Sequence, residues 1–322
     1  MKAIRFLVSC LIMLVITQPL SALAQWKPQH PMRLIVPFAP GAATDISARA
    51  VSGGLASLLG QPVVVENQPA GSGTVGTEAG AKALPDGHVL TLAHDPPFVL
   101  LPHVRKLNYD PLKDFEFIGM IASIPLVLVA RPDLSANNIR ELIEAAKAQP
   151  GKLTIASSGT GAAAHLAAEL FKHETQTKIL HVPYRGSAQA ITDVIGGQVD
   201  MVFSSFGPAI EHIRAGKLKP LGVSIQRRHA LLPNIPSISE TVPGFEYTVW
   251  TGIAVPAATP KEIRDQTSAA LVKVLQQPGV RERLDKLGFV PGEGTPQQLK
   301  KQVINDFAKW QRVIQAARIE LE

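Results

Sequence analysis

Short, unbroken apolar runs alternate along this chain with longer amphipathic stretches, and turns rich in Gly, Pro, Ser and Asn separate them. The first unit, Arg33 to Arg49, reads RLIVPFAPGAATDISAR. Residues 33–37 are long enough for a buried strand, and 38–43 form a Pro/Gly turn. Thr44 and Asp45 are N-cap residues for a helix that continues through Ile46, Arg49 and Ala50. A strand, a glycine turn and a helix start point backbone N–H groups and the positive end of a helix dipole into one crevice, which suits a phosphate or carboxylate. The same pattern also serves as an ordinary strand–helix turn with no ligand.

The unit repeats. Strands are expected at 62–66, 88–93, 116–121, 126–131, 153–156, 179–183, 199–203 and 218–224. Helices are expected near 77–84, at 137–148 and at 163–173, then in segments ending at Ile195 and Ala215. Ile139, Leu142, Ile143 and Ala146 share one helical face. The stretch HDPPFVLLPHVRKLNYDP, from His94, fits neither period. Alternating strands and helices imply an α/β fold with parallel sheets and ligand sites at strand C-terminal ends. After a strand at 249–255 the pattern changes to three helices at 260–276, 279–287 and 296–317, which read as a cap over a sheet. Pro260 and Pro296 each follow a threonine, the N-cap and N1 pairing.

Composition decides the compartment and removes some chemistries. Lys2 and Arg5 precede an apolar run over 6–16, and Ala22-Leu23-Ala24 is an A-x-A site, so an export signal cleaved after Ala24 is expected. That run is too short to span a membrane. Leu7-Val8-Ser9-Cys10 resembles a lipoprotein box but lies inside the run rather than after it. Cys10 is the single cysteine, so the mature chain can use neither disulfide, thiolate nor Cys-ligated metal. Cleavage leaves 298 of 322 residues, enough for two domains. The net charge of +6 becomes +4 without Lys2 and Arg5, and no basic run marks a nucleic-acid surface. The 26 prolines concentrate in loops, which should be stiff.

Several strand ends share one chemistry. Phe38 to Asp45 follows the first strand, Ser157-Ser158-Gly159-Thr160-Gly161 another, and Ser204-Ser205 a third. All are small, glycine-rich or hydroxyl-bearing, and together they point to a polar crevice. Asp45 could cap its helix, hold the loop or receive a ligand amine. Arg185 could pair with a ligand carboxylate or with another loop, and Trp250 could stack in the crevice or lie in the core. Gly71, Gly73 and Gly76 match G-x-G-x-x-G, with Asp95 19 residues further on. Yet the stretch from Glu66 to Ala70 separates the strand from the first glycine, and nicotinamide cofactors are scarce outside the cytoplasm, so no cofactor is expected. Ser157, Ser158 and His165 raise a serine hydrolase, but Ala156 and Thr160 break G-x-S-x-G around Ser158. The nine histidines show no zinc spacing.

Taken in order, these segments resemble the Bug family, the extracytoplasmic solute receptors of tripartite tricarboxylate transporters. The carrying stretches include RLIVPFAPGAATDISAR, GQPVVVENQPAGSGTVGTEAGAKALPDGHVL, YDPLKDFEFIGMI, ASSGTGAAAHLAAELFK, HVPYRGSAQAITDVIGGQVDMVFSS and IRAGKLKPLGV, and they span about Trp26 to Ile319. The resemblance implies a two-lobed periplasmic-binding-protein fold of the type II clamshell kind. Residues 25–124 and 246–322 would form lobe one and 125–245 lobe two, with the C-terminal helices returning to lobe one. It implies a monomeric periplasmic receptor, without catalysis, that passes a small carboxylate to membrane transporter subunits. The ligand classes are dicarboxylates, tricarboxylates, acidic amino acids and aromatic acids. The implied contacts are Phe38, Ala42, Thr44 and Asp45 from the first loop and Ser157, Ser158, Gly159, Thr160 and His165 from the second, with Ser204 and Ser205 nearby. Two other classes stay open: an exported enzyme using Ser158 and His165, and a sensor for a membrane signalling protein. The family's first loop usually reads PGG, whereas here Ala42 follows Gly41, a cost if position 42 needs positive φ. Its usual Arg-Pro-Gly is here Gln68-Pro69-Ala70.

Overall fold

The computed structural model describes residues 26–317. The expected signal peptide and its cleavage site lie outside them. The chain enters on β1 (Met32–Val36), turns into α1 (Ala43–Leu59), and continues through β2 (Val63–Asn67), α2 (Thr74–Ala81) and β3 (Val89–His94). These strands pair in parallel in the order β2-β1-β3. Pro96–Leu100 and Leu101–Val104 form a helical passage where no regular element was expected. Residues 96–101 are apolar on every side and buried, so that part lies in the core, while 102–104 are partly exposed.

β4 (Phe115–Ala130) is one strand where the sequence predicts two. Its first part pairs with β9 (Thr248–Pro256), its last part with β7 (Met201–Ser205) and β8 (Lys219–Val223). Pro125 falls where the partner changes from β9 to β7, so its missing N–H sits at the end of a ladder. One strand thereby belongs to two sheets. The second sheet continues from β7 to β5 (Thr154–Ser157) and β6 (Leu180–Pro183), both parallel. Its helices are α3 (Ile139–Ala148), α4 (Ala163–Thr175), α5 (Ser187–Ile195) and α6 (Phe206–Arg214). The chain returns beside β4. Ser224 Oγ accepts from the Leu126 amide at 2.8 Å and donates to the Tyr247 carbonyl at 2.6 Å, tying the outgoing and returning segments together.

The fold is therefore two-lobed, and its last helices return to the first sheet. These are α7 (Lys261–Gln276), α8 (Pro278–Lys286) and α9 (Pro296–Ala317), with β10 (Val290–Pro291) pairing on β4. Close approach explains Gly54 inside α1: a β-carbon there would stand 2.8 Å from the Val274 methyl groups of α7. Helix α7 starts one residue later than predicted, with Pro260 rather than Thr259 as its N-cap. Trp250 takes the core option, fully buried beside Phe98 with its indole N–H on Asp306 at 2.9 Å. The G-x-G-x-x-G glycines serve packing. A β-carbon on Gly76 would meet the Pro37 backbone at 2.9 Å, so this helix lies too tightly on the β1 loop to admit a pyrophosphate.

Candidate functional site

The loop after β1 places the first helix terminus. Gly41 takes the left-handed conformation, φ +80°, while Ala42 is extended at φ −65° and ψ 156°. Alanine at 42 therefore carries no backbone strain. Ala42 occupies the N-cap position, two residues earlier than expected, and Asp45 lies in the first turn. The Asp45 carboxylate accepts from the Gly41 amide and from Asn67 Nδ2, each at 2.9 Å, and from Arg49 Nε at 3.0 Å. Asn67 Nδ2 also donates to the Phe38 carbonyl at 2.9 Å. Burial pushes the Asp45 carboxyl up, but hydrogen bonds from Arg49, Gly41 and Asn67, with the Arg49 charge, outweigh it and hold the group below its usual range. Of its three readings, the structure selects the one in which Asp45 holds the loop.

The second lobe builds the opposite wall. β5 ends in Ser157, and α4 begins after Ala162, an extended N-cap at φ −74°. The Gly161 amide donates to His165 Nδ1 at 3.0 Å, and His165 stacks on His181 with ring centroids 3.9 Å apart. Ser157 Oγ contacts His181 Nε2 at 2.6 Å and exchanges hydrogen bonds with the Gly159 backbone. Burial first, then the neighbouring His165, lower His181 to about 4. Ser157 is fully buried, so it is no accessible nucleophile.

Between these walls lies a cavity of about 420 Å³. Phe38, Ala42, Thr44 and Ser72 line it from the first lobe; Ser158, Gly159, Thr160, Ser187, Ser204 and Ser205 line it from the second. Ile124, Leu126, Val202, Phe203 and Val249 add an apolar belt from the strands. Asp45, Ser157 and His165 do not line it. They stand one layer behind, their polar atoms turned onto the loops they brace. Arg185 is exposed and away from the cavity wall.

Four helices begin at this cavity. Ala42 and Ser205 are the N-caps of α1 and α6, Ala162 that of α4, and Ser187 is the first residue of α5; all four residues line it. The first-turn amides of a helix lack intrahelical acceptors and carry the positive end of its dipole. The Thr44 hydroxyl is buried there without a hydrogen-bond partner among the described residues. Among the described residues, no Lys or Arg lines the cavity. Such a site offers an anion many neutral donors and no fixed cation.

Ser187 and His94 also line the cavity, beyond the two loops expected from sequence. Ser187 follows β6 in the stretch YRGS, and His94 is the last residue of β3. The rule that ligands meet the C-terminal ends of strands would have found both. The apolar belt had no such signal, because inward-facing residues of buried strands look alike in sequence.

The family model described as tripartite tricarboxylate transporter family receptor matches residues 47–319. Protein BugT of Bordetella pertussis is 33% identical over 298 residues, covering 92% of this chain and 91% of BugT. Among solved structures, R. palustris Rpa4515 with adipate has a TM-score of 0.81 at 31% identity, covering 91% of this chain and 99% of that one. MatC from Rhodopseudomonas palustris with bound malate has a TM-score of 0.79 at 29% identity, covering 89% and 99%. With the two-lobed fold and the shared cavity already in place, these likenesses agree: the chain belongs to the tripartite tricarboxylate transporter receptor family, the Bug-type solute-binding receptors.

Proposed function

We propose that this protein is a periplasmic receptor that closes two lobes over a small carboxylate and delivers it to the membrane subunits of a tripartite tricarboxylate-type transporter. The observation that carries this reading is the convergence of four helix N-termini on one cavity with no Lys or Arg among the described residues of its wall. A carboxylate there accepts from backbone amides and from hydroxyls of Thr44, Ser158 and Thr160. Such bonds to a charged group contribute about 1.5–3 kcal/mol each. The adipate and malate named with the two solved relatives support a carboxylate as the ligand class.

In this reading residues 25–124 and 246–322 move as one lobe and 125–245 as the other, hinged where β4 and the Ser224–Tyr247 ties cross. The export signal is removed after Ala24, and the receptor acts as a monomer without turnover. Phe38, Ala42, Thr44, Ser158, Gly159, Thr160, Ser204 and Ser205 contact the ligand, while Asp45, Ser157 and His165 position the loops. A thermal-shift screen across mono-, di- and tricarboxylates, sugars and phosphates tests this. A ligand at 100 times its Kd should add about 2.7 kcal/mol. Stabilisation by sugars or phosphates and by no carboxylate would overturn the ligand class; consumption of the acid during incubation would overturn the absence of catalysis.

A further inference from the structure

His94 is the one titratable side chain among the described residues lining the cavity. It ends β3, packs against Phe38 with ring centroids 4.6 Å apart, and is almost fully buried. Its Nδ1 stands 2.9 Å from Asp95 Oδ1. The contact is bent away from hydrogen-bond alignment, but neither atom has a hydrogen-bond partner elsewhere among the described residues. The other Asp95 oxygen accepts from the Tyr247 hydroxyl at 2.6 Å. Burial, then the Asp95 charge, raise the Tyr247 phenol well above its ordinary value, so that oxygen stays a donor. Asp95 is 1% exposed. A buried carboxylate needs donors, and with Tyr247 on one oxygen the group within reach of the second is His94 Nδ1–H.

We infer that His94 is a specificity-determining residue that reads a hydroxyl or ammonium substituent on the bound carboxylate. Asp95 fixes the proton on Nδ1, and the ring's opposite nitrogen, Nε2, turns a lone pair toward the cavity. The carboxylate-holding part of the site consists of donors: helix amides and hydroxyls. A substituent O–H or N–H on the ligand needs an acceptor instead, and a neutral imidazole with Nδ1–H supplies one. An unsubstituted acid leaves that nitrogen unpaired in a closed cavity. A site built to bond a polar substituent rejects the analogue lacking it, because its own polar atom is then left without a partner. The Asp95 link also runs away from the cavity. Tyr247 adjoins the Ser224 tie between the two crossing segments, so the acceptor is held by the part of the fold that moves least on closure.

This inference rests on the carboxylate reading of the same cavity, and the test separates the two. Calorimetry compares acids that differ by one hydroxyl: succinate with malate, glutarate with 2-hydroxyglutarate, and phenylacetate with mandelate. At neutral pH the wild-type protein should prefer the hydroxy member of the pair it binds best by roughly five-fold or more. Asp95→Asn keeps the shape but turns an amide N–H₂ toward Nδ1, which moves the ring proton to Nε2 and converts the acceptor to a donor. That variant should bind the unsubstituted acid within about three-fold of wild type while its hydroxy preference falls below about two-fold. His94→Leu should lose the preference likewise. General damage to the cavity would weaken both members of a pair and leave their ratio unchanged. A wild-type protein that binds these acids without preferring the hydroxy member overturns the inference and leaves the carboxylate reading standing. Retention of the preference by folded Asp95→Asn also overturns it. If no acid in any pair binds, the inference is overturned, while the carboxylate reading still answers to the wider screen of acids, sugars and phosphates.

Discussion

Asp45 does not line the cavity, yet replacing it should damage both stability and binding. Its carboxylate is nearly fully buried and collects the Gly41 amide, Asn67 Nδ2 and Arg49 Nε within 3.0 Å. Asp45→Ala leaves the Gly41 and Asn67 donors without this acceptor, and hydrogen bonds to a charged group are worth about 1.5–3 kcal/mol each. The Arg49 side chain is 46% exposed, so its share is at most ~1 kcal/mol. Asn67 keeps its bond to the Phe38 carbonyl, which limits the damage on that side. The expected loss is about 3–4 kcal/mol, or roughly 5–6 °C in melting temperature for a chain of this size. Asp45→Asn retains one acceptor but sets an N–H₂ against donors and should lose about 2 kcal/mol. The pH dependence has a definite sign. A carboxyl held below its ordinary value stabilises the fold above the unfolded pKa, and that stability disappears as pH falls through the folded value. The gap between wild type and Asp45→Asn should therefore be full at pH 7 and shrink below about pH 4. Thermal melts between pH 3 and 7, each repeated with saturating ligand, read both effects. The reasoning is refuted if Asp45→Ala melts with wild type at pH 7, or if the Asp45→Asn gap stays constant into acid.

Two further outcomes follow from the same geometry. Ser158→Ala and Thr160→Ala should each weaken carboxylate binding about ten-fold by calorimetry, and Arg185→Ala should change it little; the reverse order would mean recognition by ion pair. His181, lowered to about 4 chiefly by burial, should make the fold acid-sensitive: the unfolded chain protonates first, so stability falls from about pH 6.5 down to about 4. With its ring partly solvated the fall should be about 1–2 kcal/mol, and equilibrium denaturation of His181→Asn should show a flatter profile across that window.

Much of this arrangement was legible in sequence because its signals are local. A strand, a glycine turn and a helix start lie within the stretch from Arg33 to Arg49, and the same grammar recurs at Ser157 and at Ser204. The order of units, together with the Bug resemblance, was enough to anticipate two lobes and the return of the C-terminal helices. What sequence could not separate was which residue of a loop touches the cavity and which braces it from behind. Asp45 and Thr44 are adjacent, equally polar and equally near the helix start. The helix turns one toward Asn67 and Arg49 and the other toward the cavity, and Asn67 arrives from the neighbouring strand β2. His165 and Ser157 share this ambiguity, since both meet His181, which arrives on the neighbouring strand β6. The gap expected between strands at 116–121 and 126–131 does not exist: Pro125 sits there at a change of partners inside one continuous strand.

His94 shows where local reading ends. In sequence it opens a stretch, HDPPF, with no recognisable period, and only its place at the end of an apolar run marks it. Its chemistry depends on Asp95, whose second oxygen is engaged by Tyr247, 152 residues further along the chain. That contact exists because β9 inserts between β3 and β4, so the segment entering β9 passes behind the residue that closes β3. The insertion is a property of the crossover topology, which a single strand pattern does not encode. The same crossover places the Ser224 tie beside Tyr247 and joins both lobes at one point. In the proposed reading, ligand polarity and hinge packing therefore meet through the contact of Asp95 with Tyr247. A substitution at Asp95 should be felt in what is bound before it is felt in how tightly the lobes close, since it changes which His94 nitrogen carries the proton while leaving the Ser224 tie intact.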